Sequence, residues 1–310
     1  MRSVAVQPVA PSTRLNAVMR FAFPALFAAA FGAAPAAAQD MPTPPAAEPP
    51  AAPQGPPVTI FDDNFVTIGL GVGAVPRYEG ADAYRLFPTP QFAGRLGGFD
   101  FAARGPGLAV DLIRDDTRST ANIIAGPVVR ARFDRRGGFG DARVRALGDR
   151  PVAVELGAQF GYEWRGLSRR GDAFTLALEA TQDVAGGHKG LQVSPSVGWR
   201  QPIGRATIAI GSVSATWADG DYMRTYFSID APGSTASGLP QFNARSGFKD
   251  VGGGVIVAHD LSGNALDGGW SLFAIARYSR LLNSAANSPV TAIAGDADQA
   301  FLAAGVGFTF

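Results

Sequence analysis

The sequence predicts an all-β protein, a closed antiparallel up-and-down transmembrane β-barrel of about twelve strands. Apolar residues recur at every second position, and no long helical period of 3.6 residues appears. Several alternating segments are ten or more residues long, whereas strands of soluble domains usually have about five or six residues and membrane-spanning strands about nine to eleven. Short and long gaps alternate between the segments, as turns and loops do in outer-membrane barrels.

The first 38 residues have the pattern of a secretory signal peptide. Arg2, Arg14 and Arg20 precede an alanine-rich apolar run that ends in small residues, which predicts cleavage after Ala38. Two prolines interrupt this run, and a transmembrane anchor is therefore disfavoured. Cleavage removes three arginines and no acid, so the net charge falls by three, from +1 to −2. That balance offers no basic surface for nucleic acid.

A tether at residues 39–63 follows the signal peptide. Its central part, DMPTPPAAEPPAAPQGPP at 40–57, is rich in proline and alanine and favours extended geometry with nothing to bury. We expect a disordered spacer here. The barrel itself is assigned to residues 64–310.

Twelve strands follow in order along this domain. They are predicted near 64–75, 84–95, 98–104, 107–115, 119–134, 151–165, 172–184, 189–202, 205–218, 246–259, 268–282 and 299–310. The third and fourth are short, and Pro88 and Pro90 make the second irregular, so a ten-strand barrel is the alternative. The long gaps at 135–150, 219–245 and 283–298 all fall on one side of a twelve-strand barrel.

The composition of the two strand faces predicts that the apolar face points outward. The opposite face is rich in glycine, serine and threonine and carries Glu155, Glu163, Glu179, Arg130 and Arg132. A soluble sandwich would bury its apolar face and expose its charges. The observed distribution is typical of a polar lumen surrounded by outer-membrane lipid.

Tryptophans stand at strand ends on the apolar faces. Trp164, Trp199 and Trp270 fall on one side and Trp217 at the opposite rim. We expect them to form interfacial girdles.

The last strand keeps an apolar stripe up to its final residue. The stripe consists of Leu302, Ala304, Val306, Phe308 and Phe310. A lipid-facing strand that closes the barrel leaves no unpaired edge in hydrocarbon. The ending also resembles the signal read by the bacterial barrel-assembly machinery, so these residues are predicted to form an assembly signal.

The sequence offers little for catalysis or for a cofactor. It has no cysteine and only two histidines, His188 and His259, so neither disulfides nor a structural zinc site is expected. His188 lies in the glycine-rich turn AGGHKG, where it is interpreted as a surface residue, and His259 ends a strand. No GxSxG motif is present. We therefore expect no enzymatic activity, no cofactor and no metal.

Several segments are similar to the MipA/OmpV family of outer-membrane proteins. They include GLGVGAVPRYEGADAYRLFPTP, WADGDYMRTYFSIDAPGSTASGLPQF, SGFKDVGGGVIVAHDL, ARYSRLLNSAANSPV and GVGFTF. The resemblance covers residues 64–310 and implies an outer-membrane barrel of a Gram-negative bacterium. It also implies a scaffold for peptidoglycan-remodelling enzymes, namely the lytic transglycosylase MltA and a penicillin-binding protein. A narrow pore and an adhesin are the alternatives, and no catalytic residue is implied.

The partner surface is expected on the periplasmic side. On the strand count this side carries the turns near 96–97, 116–118, 166–171, 203–204 and 260–267, together with the tether. Arg169 and Arg170 are the candidate contact residues. The longest loop, 219–245, is expected to face outward, so trimming 225–240 should leave partner binding unchanged.

Overall fold

The computed structural model describes residues 59–115, 119–136 and 140–310. Twelve antiparallel strands form a closed barrel, in which each strand pairs with the next and β1 pairs with β12. Twelve strands are therefore confirmed over ten. The predicted signal peptide, the tether at 40–57 and the turn at 116–118 lie outside the described residues.

The strands are mostly eleven to fourteen residues long, and two are much shorter. They are β1 (Phe65–Pro76), β2 (Tyr84–Leu96), β3 (Phe99–Ala103), β4 (Gly107–Val110), β5 (Ala121–Arg132), β6 (Ala153–Arg165), β7 (Ala173–Asp183), β8 (Leu191–Ile203), β9 (Thr207–Ala218), β10 (Gly247–Asp260), β11 (Gly269–Leu281) and β12 (Asp298–Thr309).

The two ends of the barrel differ in their connections. One end, called the turn side, carries the connections after β2, β4, β6, β8 and β10, the start of β1 and the end of β12. The other end, called the loop side, carries the long connections and five short helices: α1 (Ala142–Ala146), α2 (Gly220–Phe227), α3 (Ala231–Ser237), α4 (Asn283–Asn287) and α5 (Pro289–Ala292). None of the helices in the described ranges is long and apolar enough to cross a membrane.

Side chains alternate between the outside and the lumen along each strand. Ile68, Leu70 and Val72 are 56%, 61% and 58% exposed on the outer face of β1. The glycines between them face inward and are covered by Phe273, whose ring would lie 2.9 Å from a Cβ at Gly71. The apolar face therefore points outward, as the sequence predicts.

One sector of the wall is short. β4 ends at Val110 instead of extending to 115, so the predicted end of this strand was wrong. The Asp111 carboxylate accepts hydrogen bonds from the amides of Ile113, at 2.9 Å, and Ala125, at 3.0 Å. Backbone bonds from the Asp111 amide to Asp100 and from the Leu112 amide to Ala125 still follow Val110, but the Ala125 amide is taken by the Asp111 side chain and no regular pairing follows.

The shortness of β3 and β4 leaves part of β2 without a second strand partner. Only residues 93–96 of β2 pair with β3, so residues 84–92 have one free edge. Val66 and Phe310 exchange both backbone hydrogen bonds, so the Val66 amide points to β12 and the amides along β1 point alternately to β12 and to β2. The register between β1 and β2 then fixes which positions of β2 point to β1 and which point away from it. Pro88 and Pro90 then lie at positions where an amide would point to the free edge. Proline has no amide hydrogen to donate, and no hydrogen bond is lost at these positions because no neighbouring strand would accept it.

The loop side is filled by packed side chains, which we call the loop-side plug. Among the described residues, two clusters of buried apolar side chains are present, and both lie here. The first contains Tyr78, Ala81, Val144, Ile229, Leu239, Val290 and Ala294; the second contains Ala218, Tyr222, Met223, Tyr226, Phe227, Ala244, Leu281 and Ala285. Four separate loops contribute to these two clusters. Loops for which the sequence predicts no regular structure therefore pack together at the barrel mouth.

Candidate functional site

The loop-side plug closes the lumen at that end. Inward-facing residues at the loop-side ends of five different strands are all buried. They are Glu155, Thr181, Gln192, Ala218 and Leu281. Because each of these faces the lumen, their burial shows that the plug covers the lumen over these five strands.

Glu155 is the centre of a buried ionic network beneath the plug. It is fully buried and pairs with Arg130 Nε at 2.9 Å and Arg132 Nε at 2.7 Å. His188 Nε2 lies 3.1 Å from its Oε1 atom, and Gln192 Nε2 donates to the same oxygen at 3.0 Å. The carboxylate therefore joins β5, β6, β8 and the β7–β8 turn. A buried carboxylate needs such partners to stay charged.

A second group of charges connects the plug to the wall. The β-bulge between Phe248 and Asp250 shifts the register of β10, and Lys249 is buried and pairs with Glu79 and Asp250. Tyr222 donates its hydroxyl to Glu79 Oε2 at 2.5 Å. Burial raises the pKa of Glu79, but the Lys249 ammonium and the Arg132 guanidinium outweigh burial and hold that pKa below its usual value.

Tyr222 is the residue on which these groups meet. The Arg132 guanidinium lies 5.2 Å and the Lys249 ammonium 5.4 Å from the centre of its ring. The rings of His188 and Tyr226 lie 5.0 Å and 4.8 Å from it. A cation over an aromatic face is attracted by the ring quadrupole. Tyr222 therefore packs in the apolar plug and also contacts the charged groups of Glu79, Arg132 and Lys249.

A smaller ionic network stands at the turn side. Arg95 bonds Asp100 through two nitrogens, each at 2.8 Å, and reaches Asp115 at 3.1 Å. Arg165 pairs with Asp115 and Glu163. All these charges are partnered within the network.

The predicted assembly residues lie on the outer face of β12. Leu302, Val306 and Phe310 are exposed there, and Phe308 stacks with Phe310 at a centroid distance of 4.7 Å. β1 pairs with β12 over Thr67–Ala74, so this strand closes the barrel. The role of the stripe in assembly stays a prediction.

The four tryptophans lie on outer faces near strand ends. Trp164, Trp199 and Trp270 are at the turn side, and Trp217 is at the loop side. Trp199 lies across Gly211 of the neighbouring strand, where a Cβ would come within 2.1 Å of the indole. The absent side chain of Gly211 gives this indole its space. The interfacial role of the tryptophans stays a prediction.

Arg169 and Arg170 are exposed on the turn between β6 and β7. The Asp172 carboxylate accepts hydrogen bonds from the Ser168 hydroxyl at 2.6 Å and from the amides of Leu167, Ser168 and Arg169 at 2.8, 2.8 and 3.0 Å. The bond from the Ser168 hydroxyl, together with the amide bonds, lowers the pKa of Asp172 to about 2. The turn therefore presents both arginines in a fixed conformation.

The interpretation of His188 as a surface residue was wrong. It is buried, and its Nδ1 accepts from the Gly190 amide at 3.0 Å while Nε2 faces Glu155. The glycines around it let the turn fold inward: a Cβ at Gly187 would lie 2.8 Å from Ala153. Sequence reasoning also missed Tyr222, Lys249 and Glu79, whose meeting depends on loop packing.

Among known proteins, one family model matches most of this chain, and the similarity to solved structures is weak. The family model described as MltA-interacting protein MipA matches residues 68–310. No curated protein matches the chain. Among solved structures, the COG4313 outer membrane channel from Pseudomonas putida F1 is 13% identical over 84% of this chain and 99% of that chain, with a TM-score of 0.43. A Pseudomonas aeruginosa FadL homologue is 10% identical over 80% and 89%, with a TM-score of 0.28. TM-scores below 0.5 are too low to carry an inference about activity.

Proposed function

Because the chain belongs to the MipA (MltA-interacting protein) family and is an outer-membrane β-barrel, we propose that it is a scaffold that binds a peptidoglycan-remodelling enzyme in the periplasm. The observation that carries this proposal is the closed loop-side mouth. A barrel whose lumen is blocked by two packed clusters acts through its surfaces. The family name points to a lytic transglycosylase of the MltA type as the partner. A penicillin-binding protein in the same assembly is part of this proposal.

The turn side is the periplasmic side in this proposal. Outer-membrane barrels have short periplasmic turns and longer extracellular loops, and here the long connections and the helices α1–α5 share one end. The start of β1 is on the turn side, so the tether at 39–63 leads to this side as well. An enzyme bound to the inner leaflet reaches only this face.

A basic surface on the turn side supports protein docking. Arg114, Arg169, Arg170 and Arg205 are exposed there. Arg200 Nε donates to the Gly171 carbonyl at 3.3 Å, which links the β6–β7 turn to the neighbouring strand β8. An acidic face on the partner would be steered to this surface, and its binding would weaken with salt.

A pull-down in detergent with a purified MltA-type transglycosylase tests the proposal. The double variant Arg169→Glu and Arg170→Glu, and separately a deletion of 41–56, should reduce capture about tenfold or more, because a repelled charge at an interface costs several kcal/mol. The matched control is Arg145→Glu with Arg245→Glu, which makes the same charge change on the loop side. Equal loss in both double variants, or no capture by the unaltered barrel, would contradict the scaffold.

Trimming 225–240 is not the neutral control that the sequence suggests. That deletion removes Phe227, Ile229 and Leu239, which are buried in the plug. The charge reversals at Arg145 and Arg245 test the same face without unpacking it.

The narrow pore is the second candidate, and it requires the plug to move. Planar-bilayer recordings of the unaltered protein separate the two functions. A scaffold with a sealed mouth gives no steady conductance, whereas a pore opens in steps.

A further inference from the structure

Charged side chains from separate parts of the wall meet inside the lumen below the plug. Arg104 follows β3, Arg130 belongs to β5, Glu179 to β7 and Arg277 to β11. Arg130 Nη2 lies 3.1 Å from Glu179 Oε1, and Arg104 Nε lies 3.8 Å from Glu179 Oε2. β3, β7 and β11 are four strands apart in a ring of twelve. Residues on such strands reach one another only across the lumen. We call Arg104, Arg130 and Arg277 the lumen arginine cluster.

The positive charge of this cluster is not balanced. Glu179 is shared by Arg104 and Arg130, and Arg130 is also bound to Glu155. Within the described parts of the chain, no carboxylate forms an ion pair with Arg277. Arg104 and Arg130 both act on it electrostatically, and the acidic group that acts on it, Asp250, is paired with Lys249. The cluster therefore has more positive than negative charge.

The guanidinium groups of Arg277 and Arg104 face open space. Arg277 is exposed although it points inward, and the Arg104 side chain is 46% exposed. Inward-facing residues do not contact lipid, so this exposed surface lies in the lumen. The Lys249 ammonium and the Glu155 carboxylate under the plug are buried by comparison. The cluster therefore lies where the covered mouth ends and the open lumen begins.

Glycine residues of β10 make room for Arg277. A Cβ at Gly254 would come within 2.6 Å of Arg277 Cγ, and a Cβ at Gly252 within 2.6 Å of Ser279 Cβ. The Arg277 stem therefore lies flat against the backbone of β10. Gly254 has this steric role for Arg277, and Gly252 has it for Ser279.

We propose that the lumen arginine cluster binds a small soluble oxyanion, a carboxylate or a phosphate, that enters from the turn side. Guanidinium groups match the geometry of both anions through paired hydrogen bonds. Charged residues within membrane-spanning segments are costly and mark ligand or ion sites, and rings of arginine favour anions. The plug covers the other end, so in this proposal the ligand enters past the turn-side network, whose own charges are already paired.

Calorimetric titration of the full-length barrel in a zwitterionic detergent tests the site. Citrate and inorganic phosphate are the two probes, at constant potassium chloride concentration. Arg277→Gln and Arg104→Gln should each weaken binding about tenfold or more, because each removes a charge-assisted hydrogen bond. Glu179→Gln should strengthen binding severalfold, because it removes the competing carboxylate. Arg145→Gln is the matched control: it makes the same change at an exposed position of α1 and should bind as the unaltered protein does.

Heat-modifiable electrophoretic mobility confirms that every variant remains a folded barrel. Failure of the unaltered protein to bind either probe would overturn the site. Equal affinities of the Arg277→Gln and Arg145→Gln variants would also overturn it. Weakened binding in Glu179→Gln would show that Glu179 holds the arginines in place for the ligand and does not compete with it, which contradicts the proposal.

Discussion

Replacing Glu155 with glutamine removes the charge at the centre of the buried network and keeps the shape of the side chain. Removing one partner of a buried ion pair costs about 3–5 kcal/mol. Here Arg130 and Arg132 remain, and their side chains are 24% and 21% exposed. Partial hydration offsets some of the cost, so we expect a loss near the lower end, about 3 kcal/mol.

Urea unfolding in detergent micelles, followed by tryptophan fluorescence, measures this loss. The matched control is Asp221→Asn, which breaks the Asp221–Arg224 pair on the outside of α2, where the side chains are 52% and 58% exposed. An exposed pair contributes at most about 1 kcal/mol. Equal losses in the two variants would refute the reasoning, and so would a loss below about 1 kcal/mol for Glu155→Gln.

Three further predictions concern the plug, the last strand and the β6–β7 turn. Tyr222→Ala should open the loop-side mouth and give conductance steps in planar bilayers, whereas Tyr222→Phe, which keeps the ring, should stay closed; identical traces would contradict this. Phe310→Asp should abolish heat-modifiable mobility and leave protease-sensitive protein, and Phe310→Leu should assemble normally; assembly of both would argue against the signal. Because the folded pKa of Asp172 is depressed to about 2, its stabilisation of the turn is present above pH about 4 and is lost as pH falls towards about 2. The NMR amide shifts of Ser168 and Arg169 should follow that range, and a midpoint near 4 would contradict it.

The strands were predictable because their side chains obey a period of two over long stretches. In β6, Val154, Leu156, Ala158, Phe160 and Tyr162 all fall on one face, and the structure places this face outward. The error at β4 came from a single side chain. The Asp111 carboxylate accepts from the amides of Ile113 and Ala125 where regular pairing stops, and hydrophobic periodicity does not report such bonds.

The loop-side plug could be predicted only as loops. α2 and α3 are eight and seven residues long, too short for a clear helical period. Their caps are visible in the sequence once known, since Asp219 and Asp230 accept from the amides of Tyr222 and Gly233 at 3.0 and 2.8 Å. Their apolar faces pack against loops far away in the chain. Local sequence carries no information about such partners.

The lumen arginine cluster was beyond sequence reasoning for a geometric reason. Arg130 and Glu179 are recognisable as inward-facing from alternation alone. Arg104 and Arg277 are brought to the same part of the lumen by the register of every strand between them. The position of Arg104 also depends on the shortness of the β3–β4 hairpin.

The short sector of the wall also bears on the surrounding lipid. At about 3.3 Å per residue and a tilt of about 40°, the twelve residues of β1 cover roughly 30 Å of bilayer, whereas the five residues of β3 cover only about 12 Å. Lipid beside β3 and β4 meets a lower apolar wall than lipid elsewhere. A bilayer adapts to such a mismatch by thinning locally, at a cost of a fraction of a kcal/mol per Å. The barrel therefore has a preferred side, and neighbouring membrane proteins with a short hydrophobic span would gather next to the free edge of β2.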